Sequence, residues 1–159
     1  MIGIGRQTDY AARIVLHLAS LEPGARVTAG EIARKRLIPP VLIRRIVSRL
    51  SSAGILRTAR GSGGGIALAR PARKVSLREV VEAMEGQVAL NGCVVNPGDC
   101  PLSDLCPVQR AWCRASRQLA SALGKIRFSD LAASMTPKSA SGGPPPSGKG
   151  RRGAKEAKS

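Results

Sequence analysis

Pro39-Pro40-Val41-Leu42-Ile43-Arg44-Arg45-Ile46-Val47-Ser48-Arg49-Leu50-Ser51-Ser52 alternates apolar and basic residues at helical steps. At about 100° per residue, Leu42, Ile43, Ile46, Val47 and Leu50 fall on one arc, and Val41, Arg44, Arg45, Ser48 and Arg49 on the other. The Pro-Pro pair supplies a rigid helix start and Gly54 a stop, so the spacing predicts an amphipathic helix from about Val41 to Ser52. Its inner face is apolar and its outer face basic.

Two helices precede it. Residues 7 to 21 place Ala11, Ile14, Val15, Leu18 and Ala19 on one side and close at Pro23-Gly24. Thr28-Ala29-Gly30-Glu31 has the form of a capping box and predicts a short helix through Arg36. This order matches a helix-turn-helix, whose second helix enters the DNA major groove. Arg44 and Arg45, near the N-terminal end of that helix, are placed either for guanine edges or for phosphate. His17, the only histidine, reads as a packed residue of the first helix. Asp9 reads as a complement to the dipole of the same helix.

Ile55 to Arg60, Gly61-Ser62-Gly63-Gly64-Gly65 and Ile66 to Arg70 predict two short strands around a glycine turn, a wing. A phosphate-binding loop is excluded because no Lys-Ser or Lys-Thr follows the glycines and no helix opens there. Arg57, Arg60 and Arg70 are candidates to grip a DNA backbone or reach a minor groove. A second capping box, Ser76-Leu77-Arg78-Glu79, predicts a helix to about Glu85.

Farther on, Pro107 suits a first helical turn, and Val108, Ala111, Trp112, Ala115, Leu119, Ala122, Leu123 and Ile126 recur at three- and four-residue steps. So long a stripe either pairs with the same helix of a second copy or covers its own domain's core. Ser129-Asp130-Leu131 opens a last short helical turn, and from Thr136 onward composition predicts a disordered basic tail. The resulting division is 1–90, a DNA-binding domain; 91–106, a cysteine loop; 107–134, the long helix and the last short one; and 135–159, the tail.

The composition agrees. Among 159 residues, 43% are apolar but only one each is Phe, Tyr and Trp, so Leu, Ile, Val and Ala build the core and the fold is mainly α. A formal charge of +16 points to a polyanionic partner, above all nucleic acid. No signal-peptide core or membrane-length apolar run is present, and the expected location is the cytoplasm.

Cys93, Cys100 and Cys106 stand at spacings of x6 and x5 within the turn-rich stretch Cys93-Val94-Val95-Asn96-Pro97-Gly98-Asp99-Cys100-Pro101-Leu102-Ser103-Asp104-Leu105-Cys106. In a reducing cytosol such a group suits metal or redox chemistry better than disulfides. Three thiolates fit an iron-sulfur cluster or zinc, although structural zinc usually brings closer Cys pairs. A thiol oxidoreductase is disfavoured because there is no Cys-x-x-Cys and the basic helix would be unexplained.

Taken together, Thr8-Asp9-Tyr10-Ala11, Val47-Ser48-Arg49-Leu50, Ala53-Gly54, Arg60-Gly61, Gly64-Gly65 and the three-cysteine loop resemble the IscR/NsrR family of bacterial iron-sulfur transcription regulators. The resemblance covers most of residues 1 to 134. It implies a homodimer of winged helix-turn-helix domains with a long dimerisation helix, without catalytic activity. It also implies that a cluster held by Cys93, Cys100 and Cys106 controls affinity for a double-stranded operator. In the cluster-assembly branch of the family a His completes the site three residues after the last loop cysteine, where this chain has Gln109. In the nitric-oxide-sensing branch an Asp of the first helix of the other subunit does so, and it matches Asp9. The likeness is therefore to NsrR-type repressors, with 4Fe-4S favoured over 2Fe-2S, nitric oxide as a ligand of the cluster, and Cys113 as the competing fourth ligand. The candidate DNA-binding set is Thr28, Val41, Arg44, Arg45, Ser48, Arg49, Arg57, Arg60 and Gly61. The alternative is the same DNA reader with zinc or no metal, its cysteines acting as a thiol switch.

Overall fold

The computed structural model describes residues 3–103 and 105–135. The expectation of a disordered basic tail lies outside the described residues. Helix α1 runs Arg6–Ala19 and buries Ala11, Ile14, Val15 and Leu18. It stops two residues short of the predicted end, where the Leu21 N–H tightens the turn by bonding to the Leu18 carbonyl only three residues back.

Helix α2 is Ala29–Arg36, capped by Thr28 Oγ1, which accepts the Glu31 N–H at 3.2 Å. Only half of the expected capping box forms, because the Glu31 carboxylate lies 2.8 Å from Lys35 Nζ instead. The chain leaves α2 through Leu37 in the left-handed region (φ 52°) and enters α3, Pro40–Ser52. The inner arc of α3 is buried as predicted, through Ile43, Ile46, Val47 and Leu50.

Strands β1 (Leu56–Ala59) and β2 (Gly65–Leu68) pair antiparallel from Leu56 opposite Leu68 to Ala59 opposite Gly65. The turn between them needs glycine: Gly61 has φ of 87°, and a Cβ on Gly64 would lie 2.5 Å from the Ala59 carbonyl oxygen. Val27 adds a bridge to Ile66 on the far side of β2, which anchors the wing to the residue before the α2 cap.

After a 3-10 turn at Ala72–Lys74, helix α4 (Leu77–Glu85) starts with a complete Ser76/Glu79 capping box. A one-turn helix α5 (Gly92–Val95) and a 3-10 turn (Pro97–Asp99) form the cysteine loop. Helix α6 spans Pro107–Lys125, and the short α7 spans Phe128–Ala133. Around α7 the chain folds back, with the Leu77 N–H donating to the Ile126 carbonyl at 2.9 Å and the Phe128 N–H to the Val75 carbonyl at 3.1 Å. Phe128 is fully buried in the single core formed by α1 to α4 and the wing. Thus α7, grouped by the sequence with the long helix, completes the core built by the first four helices and the wing.

Helix α6 carries two seams where the sequence suggested one stripe. Ser116 and Ala120 are buried on the side that meets α4. Val108, Leu119 and Ile126, 59%, 38% and 37% exposed, lie on another side together with the exposed Ala111 and Ala122. Steps of three and four residues join these five through Ala115 into a seam of the coiled-coil kind.

Candidate nucleic-acid interface and cysteine loop

The outer arc of α3 presents Val41, Arg44, Arg45 and Ser48 to solvent, Val41 being 83% exposed. Arg44 and Ser48 face the wing across a cleft of about 490 Å³ that Ala29, Thr58 and Arg60 also line. Strand alternation explains the pairing: Thr58 and Arg60 lie on the face of β1 turned to α3, while Arg57 lies on the opposite face. Arg57 lines a separate cleft with Leu21, Leu68 and Arg73. The wing arginines are therefore divided between two surfaces, which periodicity alone did not reveal. Thr28 and Gly61 sit at the α2 cap and the wing tip.

Two arginines expected on the DNA side bond to the protein itself, Arg49 while still exposed and Arg70 half-buried. Arg49 Nη1 donates to the Met84 carbonyl in the last turn of α4 at 2.7 Å. Arg70 donates to the Gly54 and Lys74 carbonyls, both at 3.2 Å, and its Nη2 lies 2.7 Å from Glu79 Oε1. Burial pushes the Glu79 carboxyl up, but the Ser76 N–H, Arg70 and the Ser76 hydroxyl outweigh it and hold the pKa below its usual value. Nothing in the sequence marked these roles, because the partners are mostly backbone carbonyls.

His17 is packed, as expected, at 3% exposure, with Nδ1 3.1 Å from Arg36 Nη2. Burial, then the charges of Arg36 and Lys35, lower its pKa. An imidazole whose Nδ1 accepts from a guanidinium is neutral, with its proton on Nε2.

The four cysteines are free and half-buried. Cys106 caps α6, its Sγ accepting the Gln109 N–H at 3.4 Å, at a helix end that attracts negative charge. The side chain of Gln109 donates to the Cys93 carbonyl at 3.1 Å. Gln109 thus joins the first and last cysteines of the loop. Ser116, buried in α6, accepts the Leu90 N–H at 3.0 Å and fixes the chain entering the loop.

Three soft thiolates suit an iron-sulfur cluster in their chemistry. Among the described residues, however, no three His, Cys, Asp or Glu side chains stand together as a metal-ligating group within one chain. Asp9 lies on the surface of α1, 2.7 Å from Arg13 Nη2, and the Arg13 guanidinium is 5.8 Å from the centre of the Tyr10 ring. Cys113 lies within the unbroken helix α6, two turns beyond Cys106.

The sequence pattern of the Rrf2 family, described as an iron-dependent transcriptional regulator, matches residues 4–134. The chain belongs to the Rrf2 family. Rrf2 proteins are transcriptional regulators rather than enzymes, and this one is a DNA-binding regulator of that family. Protein aau3 of Rhizobium meliloti is 33% identical over 79% of this chain and 82% of its own length. The HTH-type transcriptional repressor NsrR of Streptomyces coelicolor is 32% identical over 81% of this chain and 87% of its own. Among solved structures, CymR, the global cysteine regulator of B. subtilis, aligns with a TM-score of 0.69 at 22% identity, covering 84% of this chain and 98% of CymR. IscR of T. potens aligns with a TM-score of 0.70 at 17% identity, covering 89% and 94%. These neighbours share the winged-helix fold of the Rrf2 regulators. No helix among the described residues is long and apolar enough to cross a membrane.

Proposed function

We propose that this Rrf2 regulator is a homodimeric repressor of the NsrR type, in which a 4Fe-4S cluster responsive to nitric oxide sets operator affinity. Cys93, Cys100 and Cys106 would hold the cluster, with Asp9 of the partner subunit as fourth ligand. The observation that carries the reading is the Gln109 clamp, which joins the Cys93 and Cys106 segments in a loop otherwise made of turns. A fourth ligand from a second copy requires that two chains pair. The exposed seam of α6 from Val108 to Ile126 supplies an apolar surface for that copy.

When bound, the cluster supplies an iron open to a small diatomic ligand, because a carboxylate holds iron less firmly than thiolate does. The chain's own residues do the rest. Gln109 orients the Cys93 backbone and the first turn of α6, and Ser116 fixes Leu90 upstream. Asp9 pairs with Arg13 through one carboxylate oxygen, Oδ2, which leaves Oδ1 available as the ligating atom. Cys113 is the weaker fourth ligand because two helical turns set it about 10 Å along the axis from Cys106. On the DNA side, Arg44, Arg45, Val41 and Ser48 would face base edges, while Thr28, Arg60 and Gly61 would hold the backbone; Arg57, on the other face of the wing, stands apart from this set.

The second reading, a zinc or metal-free thiol switch, draws on the observation that no three ligating side chains stand together among the described residues. Anaerobic purification with iron and sulfide assay separates the two. A brown protein with visible absorbance, lost in Cys93→Ser, supports the cluster, whereas a colourless protein with stoichiometric zinc or no metal overturns it. Exposure of the brown form to nitric oxide should then lower operator affinity.

A further inference from the structure

The guanidinium of Arg49 lies among the residues of the DNA-reading helix in sequence but points away from the wing cleft that Arg44, Ser48 and Arg60 share. Its Nη1 donates to the Met84 carbonyl at 2.7 Å, and among the described residues no other side-chain hydrogen bond joins α3 to α4. The acceptor is well matched. The last carbonyls of a helix lack partners within the helix and carry the negative end of its dipole, so a cation there is favoured twice over.

The residues just beyond Met84 tie this contact to the rest of the molecule. Glu85 accepts hydrogen bonds from the Gly5 N–H at 3.2 Å and from the Thr8 hydroxyl, which fixes the start of α1. The chain then turns through Gly86, at φ of 88°, and runs to Leu90, which is tied to Ser116, and to Asn91, which opens α5 with Cys93 inside it. The end of α4 is therefore a joint. One side holds the reading helix, another the helix that carries Asp9, and the third leads directly into the cysteine loop.

We propose that Arg49 is a positioning residue that transmits the state of the cysteine loop to the DNA-reading helix through the C-terminus of α4. This rests on the cluster-dependent reading above. A rearrangement of the loop pulls on residues 86–91, shifts the last turn of α4, and moves the carbonyl that anchors Arg49. Helix α3 then turns relative to the wing, and Arg44 and Arg60 no longer match one groove. Allosteric coupling requires an element with two arrangements that both sites bias, and the exit of α4 fills that place.

The test compares wild type, Arg49→Ala and Arg49→Lys as full-length dimers, each with and without cluster, on a selected operator and on random DNA. The ratio of operator affinities between the two states should fall at least about fivefold in Arg49→Ala, since typical couplings span about 5- to 150-fold. Arg49→Lys should retain part of it, as an ammonium can still donate to the carbonyl. The cluster spectrum and the salt dependence of random-DNA binding should stay as in wild type. A salt slope smaller by about 0.9, with equal losses in both states, would make Arg49 a phosphate contact and overturn the proposal. An unchanged ratio would overturn it too.

A second measurement does not need the cluster. Ser116→Ala frees Leu90, and its effect on operator affinity in cluster-free protein should largely vanish when combined with Arg49→Ala. Additive effects reject the strut even if the cluster reading holds. A wild type whose operator affinity ignores the cluster rejects that reading, while the cycle still decides the role of Arg49. If Arg49→Ala does not fold, as judged by circular dichroism, Arg49→Lys and Arg49→Gln carry the same comparisons.

Discussion

Gln109 contacts both ends of the cysteine loop, its Nε2 reaching the Cys93 carbonyl at 3.1 Å and its backbone N–H reaching Cys106 Sγ at 3.4 Å. Truncation to Ala should leave α6 intact but free the Cys93 segment. Anaerobic reconstitution of Gln109→Ala should therefore bind less iron and sulfide than wild type, with unchanged far-ultraviolet circular dichroism. In Gln109→His an imidazole stands beside the loop, and the visible circular dichroism should change if the cluster accepts it. A wild-type iron content in Gln109→Ala would show that the clamp does not organise the site.

Arg44 and Arg45 have no side-chain hydrogen bond or ion pair among the described residues and are exposed on α3. If either bridges a guanine, its replacement by Ala should cost about 1 to 3 kcal/mol on a selected operator and much less on random DNA. Competition binding measures both. Equal losses on the two DNAs would mark a phosphate contact instead.

Val41, 83% exposed at the start of the same helix, has no polar atom in its side chain and can gain in the major groove only from a thymine methyl. Replacing each thymine of the operator by deoxyuridine in turn should weaken wild-type binding at one position per half-site. The same replacement should have no effect on Val41→Ser, whose side chain has no methyl to meet it. Sensitivity that persists in the variant would assign the methyl contact elsewhere.

His17 links α1 to α2, and its lowered pKa makes stability depend on pH. The unfolded chain binds the proton more readily than the folded one between the folded pKa and the ordinary value near 6.5. Stability from this group is thus complete above about pH 6.5 and declines as pH falls below it. Protonation would set an imidazolium against Arg36 and Lys35, with Glu31 nearby as the one countercharge. Thermal unfolding midpoints should drop between pH 7.5 and 5.5, and the drop should be smaller in His17→Leu. An equal drop in both proteins would place the acid sensitivity in other groups.

Arg70 joins the end of α3, the 3-10 turn and the α4 cap through Gly54, Lys74 and Glu79. Its replacement by Met keeps an apolar stem and removes every bond. We expect a loss of about 1 to 3 kcal/mol in chemical denaturation, because Glu79 and two carbonyls lose a charged donor. Salt-sensitive loss of DNA affinity without loss of stability would return Arg70 to the DNA surface.

Much of this was legible in the sequence because it is local. The inner arc of α3, the caps at Thr28 and Ser76 and the glycines of the wing are each set by neighbours within a few residues. The protein partners of Arg49 and Arg70 were not legible for the opposite reason: a backbone carbonyl 35 or 16 residues away leaves no mark in the residue pattern. The stripe of α6 could be seen but not divided, since three- and four-residue steps describe a seam facing α4 as well as one facing solvent. Arg57 and Arg60 looked equivalent until the strand register put them on opposite faces. The cysteine spacing suggested metal or redox chemistry, but nothing in it said how Gln109 would join two of the cysteine segments.

Phe128, the only phenylalanine, is fully buried against helices laid down far earlier in the chain. A ribosome making this protein would release α1 to α4 with a hole where that ring belongs, and the cysteine loop and α6 must emerge before it is filled. At roughly 5 to 20 residues per second, the wait from the end of α4 lasts about 2 to 9 s. Throughout it the nascent DNA reader exposes apolar surface, and the loop is finished before the domain it is attached to. Cofactor insertion during synthesis would thus meet a loop whose DNA-reading neighbour is still incomplete.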